Sequence, residues 1–390
     1  MKVSNIAARL SGAWLILAAL AAATVPTFAS AQAAVLPPLT KISTIASTVP
    51  TNGDVNPYGI VQVQRSSGNL VAGNILISNF NNGSNLQGTG STIVQVTPAG
   101  VVTQFAALSA TTLPGPCPGG VGLTTALVVL ESGWVIVGSL PTTDGTSATA
   151  QAGCLIVLDN MGNPVETFYG SLINGPWDMT AQDGAQGAKL FVTNVLNGTV
   201  AANGTVVHGG TVLRLDLSVS ESAMPTLDAI TVIGSGFAER TDPAALVIGP
   251  TGVGLRANCA PNPQSCGESG MDQDGSRLYV ADSLNNRVVA IDNALARTTS
   301  AGTGQTVSWG GSLNDPLGLI VTGSGEILTV NGDDGNIIEI TPAGKQVAKF
   351  LIDSSGSPPG SGALFGLWFD PAHGVYYVDD ATNTLNLLHH

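Results

Sequence analysis

Carboxylates are the residues best placed to do chemistry in this chain, because the alternatives are scarce. Only four histidines (His208, His373, His389 and His390) and four cysteines stand against 26 aspartates and glutamates. No Ser-His-Asp elbow, phosphate-binding loop or dinucleotide fingerprint is evident. Three oxygen-bearing residues stand out. Asp178 follows Pro176-Trp177 at the head of an apolar stretch, while Asn56 and Asp315 each directly precede a proline, Pro57 and Pro316. Such oxygens suit Ca²⁺ or another hard divalent cation, and a bound ion would activate a water for hydrolysis. The plainer reading of a lone carboxylate such as Asp178 is that it bonds local backbone amides. Tyr58, Trp177 and His208 are expected on the same ligand-holding face. His208 is the histidine placed to act as a base there, and a solvated loop residue is its plainer reading.

What must position these residues is a repeat. Thr124 to Ser139 (TTALVVLESGWVIVGS), Pro316 to Asn331 (PLGLIVTGSGEILTVN) and Leu364 to Asp379 (LFGLWFDPAHGVYYVD) align without a gap. Each is an apolar strand, a turn, and a second strand ending at a small polar residue. Three further copies fit with insertions, so the second strands close at Asn79, Ser139, Asn194, Asp282, Asn331 and Asp379, on average 60 residues apart. A third strand follows each, and a fourth is visible in several. Four strands in each of six copies predict an all-β fold, a six-bladed β-propeller. The sixth copy ends one strand short, and Thr40 to Ala46 is predicted to close the ring as its outer strand, leaving no open edge.

In that frame the small residue near the start of each first strand reads Gly59, Ala126, Asp178, Gly254, Gly318 and Gly366. Asp178 alone would project a carboxylate toward the channel, with Asn56 and Asp315 bringing oxygens to the same mouth. The steps between second and third strands are five positions in the last three repeats, but 12, 14 and 16 in the first three. Enlarged loops on adjacent blades predict a wall on one side of the mouth, where binding usually resides.

Leu278-Tyr279-Val280-Ala281-Asp282-Ser283-Leu284-Asn285-Asn286-Arg287-Val288-Val289-Ala290-Ile291-Asp292 resembles the core of an NHL repeat, and Pro316-Leu317-Gly318-Leu319 and Pro57-Tyr58-Gly59-Ile60 resemble its opening. The resemblance is sharp in the fourth repeat and loose in the other five. It implies a propeller, and either of two functions. One is a binding or scaffold protein holding a small molecule, glycan or protein on the channel-mouth face. The other is a metal-dependent hydrolase of the lactonase type, since related six-bladed propellers include lactonases. Fold alone does not choose between them, but the scarcity of histidine and of paired channel carboxylates favours the binding or scaffold protein, with the hydrolase as the alternative.

Composition narrows the setting. A net charge of −13 argues against nucleic acid as a partner. Lys2 and Arg9, the apolar run Ala13 to Ala23 and the small residues Ala31-Gln32-Ala33 have the layout of a secretory signal peptide over residues 1–33, leaving 34–390 as a single domain. The expectation is a secreted or periplasmic protein without stable membrane insertion. In such a compartment Cys117, Cys154, Cys259 and Cys266 favour disulfides over metal ligation. The neighbours Cys259 and Cys266 form the expected loop staple, and Cys117–Cys154 follows.

Overall fold

The repeat folds as six antiparallel sheets in a computed structural model that describes Met1 and residues 34–184, 187–257, 275–356 and 360–390. Each repeat forms one blade of a six-bladed propeller. Blade 1 runs Val55–Gln62, Ile75–Asn81, Thr92–Val96 and Val102–Ala107, and blade 2 runs Leu123–Val129, Val135–Ser139, Leu155–Leu158 and Pro164–Phe168. Blade 4 comprises Pro250–Arg256, Arg277–Asp282, Arg287–Asp292 and Gln305–Trp309, and blade 5 Pro316–Val321, Ile327–Asn331, Asn336–Ile340 and Gln346–Leu351. Blade 6 orders Leu364–Asp370, Gly374–Asp379 and Thr384–His389, and its fourth strand is Lys41–Ser47, antiparallel to Thr384–His389. Blade 3 departs from the pattern. Pro176–Gly184, Gly187–Asn194 and Val207–Ser218 are followed by a 17-residue strand, Thr226–Asp242, and a fifth short one, Leu246–Ile248.

All six innermost strands break register at the same place, as between Pro57 and Ile60, Pro316 and Leu319, and Leu364 and Leu367. The small-residue column sits in these irregularities, and its purpose is close approach. A Cβ at Gly318 would run into the carbonyl oxygen of Phe365, and one at Gly366 into that of Tyr58, each on the next blade. Gly252 occupies this position in blade 4, where a Cβ would meet the Leu317 carbonyl, so it replaces the expected Gly254. Hydroxyls then tie blade to blade. Ser78 Oγ donates to the Thr124 carbonyl at 2.7 Å, Thr193 Oγ1 to Thr251 at 2.8 Å and Ser283 Oγ to Pro316 at 2.6 Å.

The apolar core lies between the sheets, where the alternating faces of adjacent blades pack. The Arg287 guanidinium pairs with buried Asp282 at 2.6 Å inside the fourth repeat. Cys117 and Cys154 form a disulfide, whereas Cys259 and Cys266 lie outside the described residues, as does the expected signal segment beyond Met1. Among the described residues no helix is long and apolar enough to cross a membrane.

The start of the folded chain is held by more than strand pairing. The Val35 and Leu36 amides donate to the two carboxylate oxygens of fully buried Glu339, at 2.7 and 2.8 Å, while Leu36 and Leu39 enter the core. Deleting residues 34–47 therefore strands a buried carboxylate and removes two apolar anchors. A loss on the order of 5 kcal/mol is expected in denaturant unfolding; an unchanged midpoint would show that this segment adds nothing.

Candidate functional site at the channel mouth

The residue preceding the close-approach position lines a cavity of about 950 Å³ in five blades; it is Thr125 in blade 2 and an apolar or aromatic residue in the other four, Tyr58, Trp177, Leu317 and Phe365. Tyr58 lies stacked between Phe80 and Phe365, with ring centroids 4.5 and 3.8 Å away. Two of these four, Tyr58 and Trp177, are the expected ligand-face residues. Leu317 and Phe365 carried the same signal, an apolar residue at the second position of the repeat.

The enlarged loops of blades 1 and 2 contribute Gly83, Asn85, Gln87 and Leu140 to the cavity wall. Most of the third side comes from an element the loop lengths did not reveal. The turn between Thr226–Asp242 and Leu246–Ile248 leans over the mouth, and residues from Arg240 to Ile248 line it. Leu246, buried with φ +63°, belongs to the same apolar cluster as Tyr58, Trp177 and Phe365. Gln87 Nε2 donates to the Ala244 carbonyl at 2.8 Å and ties this turn to the blade 1 loop.

Asn56 and Asp315 both line this cavity, and they are held alike. Each has a left-handed backbone, φ 65° and 52°, directly before a proline. That conformation is disfavoured before proline and persists only when the surroundings impose it. The imposing contact comes from the preceding blade. The Asn56 amide donates to Asn383 Oδ1 at 2.7 Å, and the Asp315 amide to Asn286 Oδ1 at 2.6 Å. Asn383 and Asn286 themselves occupy left-handed positions at the ends of the minimal turns Asp379–Asn383 and Asp282–Asn286. The asparagine of the NHL-like segment is thus a pin for the next blade.

Acidic groups crowd the rim. Burial first, then Asp333 and Asp242, push Asp315 up to about 7, with Arg240 opposing. No described residue hydrogen-bonds its carboxylate. Burial first, then Asp379 and Asp353, push Asp380 up to about 8. Arg240, the one cation among the lining residues, is already paired with Asp242 at 2.9 Å.

Asp178 does not join this group. It lines a second cavity of about 470 Å³, walled mainly by the later halves of the six innermost strands, whereas Asn56 and Asp315 line the first. Its oxygens accept the Met179 amide at 2.8 Å and the blade 4 Val253 amide at 3.0 Å, the plainer of the two sequence readings. Burial raises it to about 7 despite those bonds. His208 is exposed in Val207–Ser218 and lines neither cavity. Among the described residues no three His, Cys, Asp or Glu side chains group as a metal site. The expected trio of Asp178, Asn56 and Asp315 faces two cavities, so it does not fit one shared Ca²⁺, and no step below is routed through a metal.

Solved structures share the architecture. A gluconolactonase from Xanthomonas campestris is 12% identical, with 91% of each chain covered and a TM-score of 0.51. The calcium-binding protein regucalcin from Agrobacterium tumefaciens is 13% identical over 88% of this chain and 93% of its own, with a TM-score of 0.50. A luciferin-regenerating enzyme is 11% identical over 89% and 94%, also with a TM-score of 0.50. The shared feature is the propeller. No family model and no curated protein matches the chain, so the NHL resemblance rests on the repeat residues themselves.

The raised carboxylates set the direction of pH dependence. Asp178 and Asp315 (about 7), Asp183 (about 6), Asp380 and Glu239 (about 8) bind protons more tightly folded than unfolded. Their contribution to stability is full below the ordinary carboxylate range near 4 and is lost as pH rises to about 8. Melting temperature is expected to fall between pH 5 and 8. At pH 8, Asp315→Asn should gain about 2 kcal/mol, half the full conversion of its shift because cavity water screens it. Melts that are flat across this range, in wild type and variant alike, would contradict the burial of these charges.

Proposed function

We propose that the protein is an exported small-molecule hydrolase of the lactonase type, working in the mouth cavity with Asp315 as general base. Asp315 carries the reading. It is a carboxylate in a ligand-sized cavity, without a hydrogen-bond partner, raised to about 7 and fixed in a constrained backbone conformation. A base poised near the working pH and held rigidly is what proton abstraction from water requires. Similarity in fold to a gluconolactonase supports the reaction class, and the Cys117–Cys154 disulfide supports export.

In this reading a cavity water gives its proton to Asp315 as its oxygen adds to the lactone carbonyl. The tetrahedral intermediate expels the ring oxygen, which takes the same proton back. One water is consumed, a hydroxy acid leaves, and Asp315 is regenerated.

Acid release from a panel of five- and six-membered lactones tests this directly. The rate constant kcat/KM should rise with pH through about 7, and Asp315→Asn should lower it about 100-fold or more while the protein stays folded. If no lactone is opened, or the folded variant keeps the wild-type rate, the hydrolase reading fails. A protein that only holds a small molecule, glycan or partner protein at the mouth would then remain.

A further inference from the structure

The mouth cavity has an excess of hydrogen-bond acceptors whose donors the protein does not supply. Asn81 Nδ2 donates to Asn85 Oδ1 at 2.7 Å and Gln87 Nε2 donates to the Ala244 carbonyl, which fixes both amides with their oxygens left over. Asn81 Oδ1 and Gln87 Oε1 have no partner, and neither does Asn56 Oδ1. Asn56 and Asn81 are 8% and 2% exposed, so water does not replace the missing donors cheaply. Asn81 stands beside Asn56 in the sheet, because Val55 is its register partner.

A carboxylate with no counter-charge lies against this cluster. Asp380 lines the same cavity as Asn56, Tyr58 and Asn81, and its charge helps to raise the Tyr58 hydroxyl, which burial raises most. The charges facing Asp380 are Asp379 and Asp353, both of its own sign. Neither a lysine nor an arginine lines the cavity on that side, since Arg240 is committed to Asp242. The Tyr58–Phe365 stack and Leu246 supply an apolar wall beside the polar corner.

We propose that the mouth cavity takes a small, donor-rich organic cation of the amino-polyol class, its ammonium against Asp380 and its hydroxyls on the orphaned oxygens of Asn56, Asn81 and Gln87. An ammonium supplies three donors and no acceptor, and polyol hydroxyls supply the rest. A negatively charged polyol is disfavoured at the same place by Asp380, Asp379 and Asp353. The inference deepens the proposed hydrolysis by giving its substrate a class, but it concerns binding and involves a different carboxylate. Loss of catalysis with binding intact overturns only the hydrolase reading.

The test uses three probes with one carbon skeleton: 1-amino-1-deoxysorbitol, sorbitol and gluconate, titrated by calorimetry against the full exported chain at pH 9, above the value of about 8 to which burial raises Asp380. The amine is expected to bind the wild type with a Kd of about 2 mM. The amine should bind about tenfold more tightly than sorbitol, and gluconate more weakly than either. Asp380→Asn, checked for a melt no lower than that of the wild type, should bring amine and sorbitol to equal affinity. Asn81→Ala should weaken both, a readout that does not depend on charge. Equal affinities in the wild type, preference for gluconate, or no amine binding up to about 20 mM would overturn the proposal. So would Ca²⁺ that raises the melting temperature and excludes the amine, because the oxygens would then serve a metal.

Discussion

The constraint on which the molecule depends is the crowding of six innermost strands around one axis. Backbone meets backbone there, so the residue at the irregularity of each first strand can carry almost no side chain, as Gly318 against Phe365 and Gly366 against Tyr58 show. Because that level of the ring is filled by main chain, the space on either side divides into two cavities that share only Thr125 among their lining residues. Asp178 is the exception in the column, and it pays its way by becoming a joint: its carboxylate spans from its own blade to the Val253 amide of the next. An acceptor used for assembly is not available for a ligand.

The same logic of neighbour supporting neighbour builds the mouth. Two turns of minimal length present Asn286 and Asn383, each in a left-handed conformation that asparagine tolerates. Each side chain reaches the amide of a residue on the following blade and holds it in a conformation that its proline disfavours. The two residues so held, Asn56 and Asp315, face the cavity. Backbone strain at the mouth is thus balanced by a repeat-encoded hydrogen bond one blade away, which links the regularity of the scaffold to the irregularity of the site.

Electrostatically the mouth is unbalanced. The rim carries Asp242, Asp315, Asp333 and Asp380 against a single arginine, and several amide oxygens have lost their donors to protein partners. Natural proteins keep buried polar groups satisfied, so a cluster of exceptions in one cavity is the feature that the proposed ligand would answer. The price in stability falls on the alkaline side, where the buried carboxylates must ionise.

Much of this was legible in the order of residues. The spacing of Asn79, Ser139, Asn194, Asp282, Asn331 and Asp379 determined six blades, because a strand pair and its turn must recur wherever the same sheet is built. Tyr58, Trp177, Asn56 and Asp315 could be assigned to the mouth from their place in the repeat, since position within a blade dictates the face. Asp178 could not be placed correctly, because the partner that consumes its carboxylate lies 75 residues away in sequence. The turn at Asp242–Leu246 was hidden as well: no repeat position corresponds to it, and only the long strand from Thr226 carries it over the channel. Phe365, Asp380 and the orphaned oxygens of Asn81 and Gln87 become one site only when the ring brings blade 6 against blade 1. Local sequence determined the elements and the faces of their residues, while the tertiary structure alone decided which polar groups were satisfied and which were left without a partner. Satisfaction is a property of contacts between distant segments, and no local pattern records it.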